Sequence, residues 1–175
     1  MSDENATSPR SQVKGEAGAR WAFMRRFTIY KNDAIYLDRL RLVQTPWFGI
    51  YLHRIEQPDL DRDPHDHPWT FGSLVLRGGY VERFHPVPHV HRDMHVSTRR
   101  WGRWTWHRMG TEAAHRIMHV EPGTVTLVLV GRRRRDWGFH TPDGFVPWRR
   151  YLAEQAASNT TATGTSRTFA TGDSA

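Results

Sequence analysis

The chain contains no cysteine. That excludes a disulfide framework, a thiolate nucleophile, an iron–sulfur cluster and any zinc site built on sulfur. A metal here would have to sit on imidazole and carboxylate. Lysine is scarce: Lys14 and Lys31 are the only two among 25 Lys and Arg residues, so the formal charge of +7 is carried by arginine. No apolar run approaches the roughly 20 residues needed to cross a bilayer. The N-terminal stretch MSDENATSPRSQVKGEAGAR has no apolar core of a secretory signal, so no membrane partner is expected and the cytoplasm is the default compartment. No Gly-x-Ser-x-Gly elbow, P-loop or Gly-x-Gly-x-x-Gly is present, which leaves serine hydrolase, NTPase and dinucleotide-binding readings without support.

What is present is aromatic and rich in histidine. The 175 residues include 8 Trp, 8 Phe, 5 Tyr and 11 His, enough aromatic volume for one dense core. Residues 1–20 and 153–175 are polar, small and aperiodic, and are expected to be disordered tails. The domain is expected over residues 21–152. Within it strand signals dominate: Ala34–Val43, Trp47–Ile55, Trp69–Leu76, Tyr80–Phe84, Arg100–Met109, Ala113–Val120, Thr124–Val130, Trp137–His140 and Phe145–Tyr151. Turn residues separate them at Arg77-Gly78-Gly79, Glu121-Pro122-Gly123 and Thr141-Pro142-Asp143-Gly144. Spacings of roughly 8–12 residues predict an all-β, mostly antiparallel barrel or double-sheet jelly roll. A short helix over residues 15–26 is the one helical expectation.

The informative stretch is DPHDHPWTFGSLVLRGGYVE, residues 63–82. Residues i and i+2 of a strand point to one face, so His65 and His67 can converge on one ion. A third ligand must come from another strand. In Ala113–Val120 the same alternation gives His115, Ile117 and His119 on one face. Three imidazoles suit iron(II), zinc, nickel or copper and leave coordination positions open, as a catalytic site requires. Glu82 and Tyr80, two residues apart, are candidates for acid/base work. Glu82 can equally be a further ligand or fix a histidine tautomer.

These residues resemble the cupin superfamily, whose first motif places His-x-His before a strand and a closing glycine. His65 and His67 match the paired histidines, Gly78 or Gly79 the glycine, and His115 the histidine of the second motif. The glutamate of the first motif would fall at Phe71 or Gly72 and is missing. Pro122-Gly123 follows His115 instead of preceding it. The match therefore resembles the three-histidine subset that includes cysteine-dioxygenase-like enzymes, over roughly residues 47–151. The HDHPW, GGY, HRI and WGFHTPDG elements also look like small cupin-like proteins of actinobacterial tailed phages, for which the host cytoplasm would be the compartment. The resemblance implies a metal-dependent oxidoreductase of dioxygenase type, with Fe(II) the expected metal, and admits a homodimer. Arginines at the barrel mouth, Arg116, Arg132 and Arg134, would favour a small anionic substrate.

Three other readings use the same sequence. His91-Arg92-Asp93 with His140 and Arg150 has the spacing of a facial triad with a carboxylate-binding arginine, though His91 lies in a proline-rich segment without strand character. Arg132–Arg135, with Arg99, Arg100, Arg103 and Trp101, Trp104, Trp106, could form a basic aromatic surface for single-stranded nucleic acid. The barrel could also be a non-catalytic binding or assembly module that contacts nucleic acid or another phage protein.

Overall fold

The computed structural model describes residues 13–14, 21–31, 34–85 and 95–165. Among the described residues twelve strands, all paired antiparallel, precede one helix: β1 (Val13–Lys14), β2 (Ala22–Lys31), β3 (Ala34–Gln44), β4 (Gly49–Ile55), β5 (Phe71–Arg77), β6 (Gly79–His85), β7 (Ser97–Gly102), β8 (Trp106–Met109), β9 (Ala114–Val120), β10 (Thr124–Val130), β11 (Gly138–Thr141), β12 (Gly144–Pro147) and α1 (Trp148–Thr165). One sheet runs β1-β2-β3-β4-β10-β5-β8, and a second is β7-β6-β9. The β11–β12 ribbon joins the second sheet through His65, which bridges both His115 on β9 and Phe139 on β11. The result is the expected antiparallel double sheet.

The turns form where glycine allows them. Gly78 sits at φ +69° between β5 and β6, and Gly123 at φ +72° between β9 and β10. A Cβ at Gly78 would lie 2.5 Å from Thr124 Oγ1. That hydroxyl also accepts the Gly79 N–H at 3.0 Å, which ties the turn to β10.

Two apolar clusters lie between the sheets. One is Leu37, Ile55, Val75, Tyr80 and Val120; the other is Tyr51, Phe71, Met109, Val128 and Val130. Between them the interior is polar. β10 turns Thr124 and Thr126 inward and Leu129 outward, and Ser73, Glu82, His107 and His115 are buried. This departs from the usual apolar-in alternation of a strand.

Three expectations are corrected. Arg100–Met109 is not one strand: Trp104 adopts φ +66° in a turn that places Trp101 on β7 and Trp106 on β8, in different sheets. Residues 22–26 belong to strand β2, not a helix, and Val13–Lys14 pairs with its far end at Ile29 and Thr28. The chain after residue 152 continues as helix α1 to Thr165. Tyr151 stacks on Phe139 at 3.8 Å and Trp148 on Trp137 at 5.6 Å, which anchors the first turn. Leu152, Ala153, Glu154, Gln155, Ala156 and Ala157, which follow, are mostly good helix formers.

The 59–66 loop is held by buried carboxylates: Asp59, Asp61, Asp63 and Asp66 are each at most 6% exposed. Asp66, fully buried, receives the Gly138 N–H at 3.0 Å, His140 Nε2 at 2.9 Å and Arg135 Nη2. Removing it strands a buried N–H and a half-buried guanidinium. We expect Asp66→Ala to lower the unfolding free energy by about 2–3 kcal/mol in a urea titration. A change within about 0.5 kcal/mol would refute the clamp.

Candidate metal centre

Backbone pairing builds the site. His65 N–H donates to His115 O at 3.0 Å, and His115 N–H to His65 O at 2.8 Å. Asp66 N–H and His140 N–H, bonded to Gly138 O and Pro64 O at 3.1 and 2.8 Å, stitch the other side of the segment to β11. The HDH segment is thus a short strand between β9 and β11, and its alternation sends His65 and His67 to one side while Asp66 goes to the other. One nitrogen from each of His65, His67 and His115 lies within 4.8 Å of the others.

His115 is oriented from behind. Its Nδ1 is hydrogen-bonded to Glu82 Oε1, and Glu82 Oε2 accepts the indole N–H of Trp101 at 2.6 Å. Both carboxylate oxygens are occupied and Glu82 is 1% exposed. The proton on Nδ1 leaves Nε2 with a free lone pair. That Nε2 lies 2.7 Å from Nε2 of His67. Two nitrogens about 2.1 Å from one ion, in adjacent positions, sit about 3 Å apart. The donor set therefore fits a divalent metal.

Electrostatics agree. Burial, then the charge of His115, pushes His65 and His67 well below the ordinary imidazole value, so both are neutral donors. Burial also opposes charge on His115, but the Glu82 carboxylate and its hydrogen bond outweigh this and raise it, so a metal at Nε2 would have a proton to displace there. Asp59 Oδ2 lies 3.9 Å from His65 Nδ1 and accepts the Ile117 N–H at 2.7 Å, which ties the 59–66 loop to β9.

The other sequence candidates fall elsewhere. Tyr80 shares the inward face with Glu82, but its hydroxyl is 2.7 Å from His107 Nε2. His119 is exposed, because the β6–β9 register shifts between Val81 and Glu82 and skips Met118. Arg116 turns away from His115 and donates to Arg62 O and Asp59 O at 3.1 and 3.4 Å. Arg132 and Arg134 are exposed in the β10–β11 connection, whereas Arg135 reaches Asp66. Arg150 pairs with Glu154 along α1 at 2.6 Å, and His140 is committed to Asp66. These two do not form the alternative triad's pair, and His91 and Asp93 lie outside the described residues.

Sequence reading missed a cationic element. Arg39 on β3 donates from Nε to His53 Nε2 at 2.8 Å. Burial brings Arg39 down to about 10, and its charge depresses both His53 and His67. Arg41 Nε and Thr126 Oγ1, beside them, are buried without a partner. Among the described residues no carboxylate pairs with Arg39 or Arg41. The signal existed: charges alternate with apolar residues in YLDRLRLV, but alternation alone does not say which face is interior.

No family model and no curated protein sequence matches the chain. Its fold is similar to several solved structures. KdgF from Halomonas sp. is 16% identical over 57% of this chain and 82% of that one, with a TM-score of 0.44. A cupin superfamily protein from Desulfitobacterium hafniense is 13% identical, covering 55% and 77%, at 0.42. Hydroxypropylphosphonic acid epoxidase from S. wedmorenis is 14% identical, covering 55% and 50%, at 0.42. The likeness is one of fold. The three histidines meet where the HDH segment bridges β9 and β11 of the antiparallel double sheet, and no helix of the described residues is long and apolar enough to cross a membrane.

Two outcomes follow. Glu82→Gln keeps the shape of the side chain but weakens its hold on the Nδ1 proton of His115. Metal affinity should fall about 10- to 100-fold in a competition titration with a chelating dye, and an unchanged affinity would refute the role. The second concerns pH. His53, His65, His67, His85 and His107 are all displaced downward by burial. Each takes up a proton mainly on unfolding, so stability rises with pH through the window below about 6.5. His115, displaced upward, has the opposite sign and is outnumbered. The metal-free protein should gain about 5 °C or more in Tm between about pH 5 and about pH 7. A flat or falling profile would contradict the assignment of neutral buried imidazoles.

Proposed function

We propose that this protein is a mononuclear metal enzyme of cupin type, acting as a dioxygenase-like oxidoreductase on a small anionic substrate. The observation that carries the reading is the convergence of one nitrogen each from His65, His67 and His115, two of them neutral and the third oriented by a buried carboxylate. Three imidazoles leave coordination positions free for substrate and dioxygen, which favours a reactive over a purely structural ion. Fe(II) is the metal we assign, since nitrogen ligands without thiolate suit it and open positions serve oxygen chemistry. When bound it would supply Lewis acidity and oxygen activation.

The chain's own residues do the rest. Glu82 keeps the proton of His115 on Nδ1 and away from the metal face. The β9 pairing fixes the backbone of His65. Arg39 lies close enough to depress the pKa of His67 and has no carboxylate partner among the described residues. An interior guanidinium without a counter-ion is unfavourable. A carboxylate or phosphonate of the substrate would relieve it and set the substrate's orientation towards the triad. His53 fixes the angle of that guanidinium by accepting from Nε.

The test is metal analysis of the full chain after anaerobic loading with Fe(II). We expect about one iron per chain, and none in His65→Ala/His67→Ala with an unchanged far-UV spectrum. Oxygen uptake should then be stimulated by a member of a panel of small carboxylic and phosphonic acids. Arg39→Met should raise KM for that acid about tenfold or more while iron content stays the same. Stoichiometric iron in the double variant would overturn the site. Iron binding without oxygen uptake across the panel would overturn the reaction.

A further inference from the structure

A cavity of about 430 Å³ opens at the β7–β8 edge, where the two sheets part. It lies apart from the triad, since none of His65, His67, His115 or Glu82 lines it. Its apolar walls are Phe84, Trp101, Trp106, Ala113 and Ala114, and its ionisable lining is wholly basic: His85, His95, Arg99, His107 and Arg108. The volume is that of a small-molecule site. Arg99 and Arg108 have no carboxylate partner among the described residues.

The second observation is in the wall. His107 is 6% exposed and its Nδ1 is buried with no hydrogen-bond partner; His85 Nε2 is in the same condition. Buried polar atoms are almost always satisfied, so two unpartnered nitrogens on residues that line one cavity are an unmet demand for a hydrogen bond beside it. The tautomer of His107 is set from behind. Its Nε2 lies 2.7 Å from the Tyr80 hydroxyl, which we take as the donor. The ring proton is left on Nδ1, a donor. The His107 ring is held flat on Trp101, at 4.4 Å and 16°. Gly72 makes room for Trp106, because a Cβ there would overlap the indole ring.

We propose that this cavity is a second ligand site, taking a planar aromatic ring that bears an oxyanion. The ring packs between Trp106 and the Phe84–Ala114 wall, and the oxyanion meets Arg108, Arg99 and the Nδ1–H of His107. The same chemistry is offered by an aromatic carboxylate and by a nucleoside monophosphate. The site does not depend on the metal: Trp101 and Glu82 stand between it and His115.

The test is calorimetric titration of the full chain with 4-hydroxybenzoate, indole-3-acetate and AMP, with inorganic phosphate as the ringless control. We expect one saturable site per chain for a ring acid or for AMP, and phosphate binding at least about tenfold weaker. A preference for the carboxylates or for AMP identifies the source of the oxyanion, and either supports the site. Arg108→Gln, at an exposed position, should raise Kd about tenfold, which is about 1.4 kcal/mol. His107→Phe, which keeps the stack on Trp101 but removes the donor, should do the same. His67→Ala should leave Kd within about twofold even where iron is lost, so this site and the metal reading fail separately. No saturable binding, equal affinity for phosphate, indifference to Arg108→Gln, or loss of binding in His67→Ala would each overturn the proposal.

Discussion

The arrangement depends on the reciprocal backbone bonds between His65 and His115. Without them the HDH segment would be a loop, and its imidazoles would have no fixed relation to β9. With them, an extended segment bridged at His65 is clamped between β9 and β11, and its alternation sorts the side chains by chemistry. His65 and His67 face their partner His115. Asp66 faces the opposite way and binds Arg135, His140 and the Gly138 N–H. The metal-facing and structure-holding halves of HDH are consequences of one pairing.

That pairing holds groups a folded chain would otherwise keep in water. The interior carries Arg39, His53, Glu82, His107 and His115 among aromatic rings. Each is bonded to another side chain: His53 takes the Arg39 N–H, Glu82 takes those of His115 and Trp101, and Tyr80 meets His107. Buried polar groups are strongly destabilising when half-satisfied. The atoms still unpartnered are therefore informative. Arg41 Nε and Thr126 Oγ1 lie beside Arg39, and His107 Nδ1 and His85 Nε2 on the cavity at the β7–β8 edge. A further such atom, Arg116 Nε, lies beside the 59–62 loop.

Much of this was legible beforehand. The β class, most strand positions and the glycine turns follow from alternation and turn chemistry, which are local. The pair His65/His67 was legible because its spacing equals the strand period. His115 required a guess about which later strand comes near. His119 shows the limit: the same period that correctly selects His115 selects His119 too, and a one-residue register shift at Met118 sends it outward. The Arg100–Met109 strand failed for a related reason. Its alternation of bulky and polar residues is real, but Trp104 takes a left-handed turn, and the two halves join different sheets.

The sequence by itself determined what depends on neighbours a few residues apart. These are the absence of sulfur ligands, the paired imidazoles, the turns at Gly78, Gly123 and Gly144, and the strand segments between them. Only the tertiary structure decided the role of Glu82, since its partners His115 and Trp101 are 33 and 19 residues away. It also turned Arg39 towards His53, and left Arg132 and Arg134 exposed. A charge in a strand-like pattern reads the same from either face of a sheet. Which face becomes interior is set by long-range pairing, and that is where the chemistry of these side chains is decided.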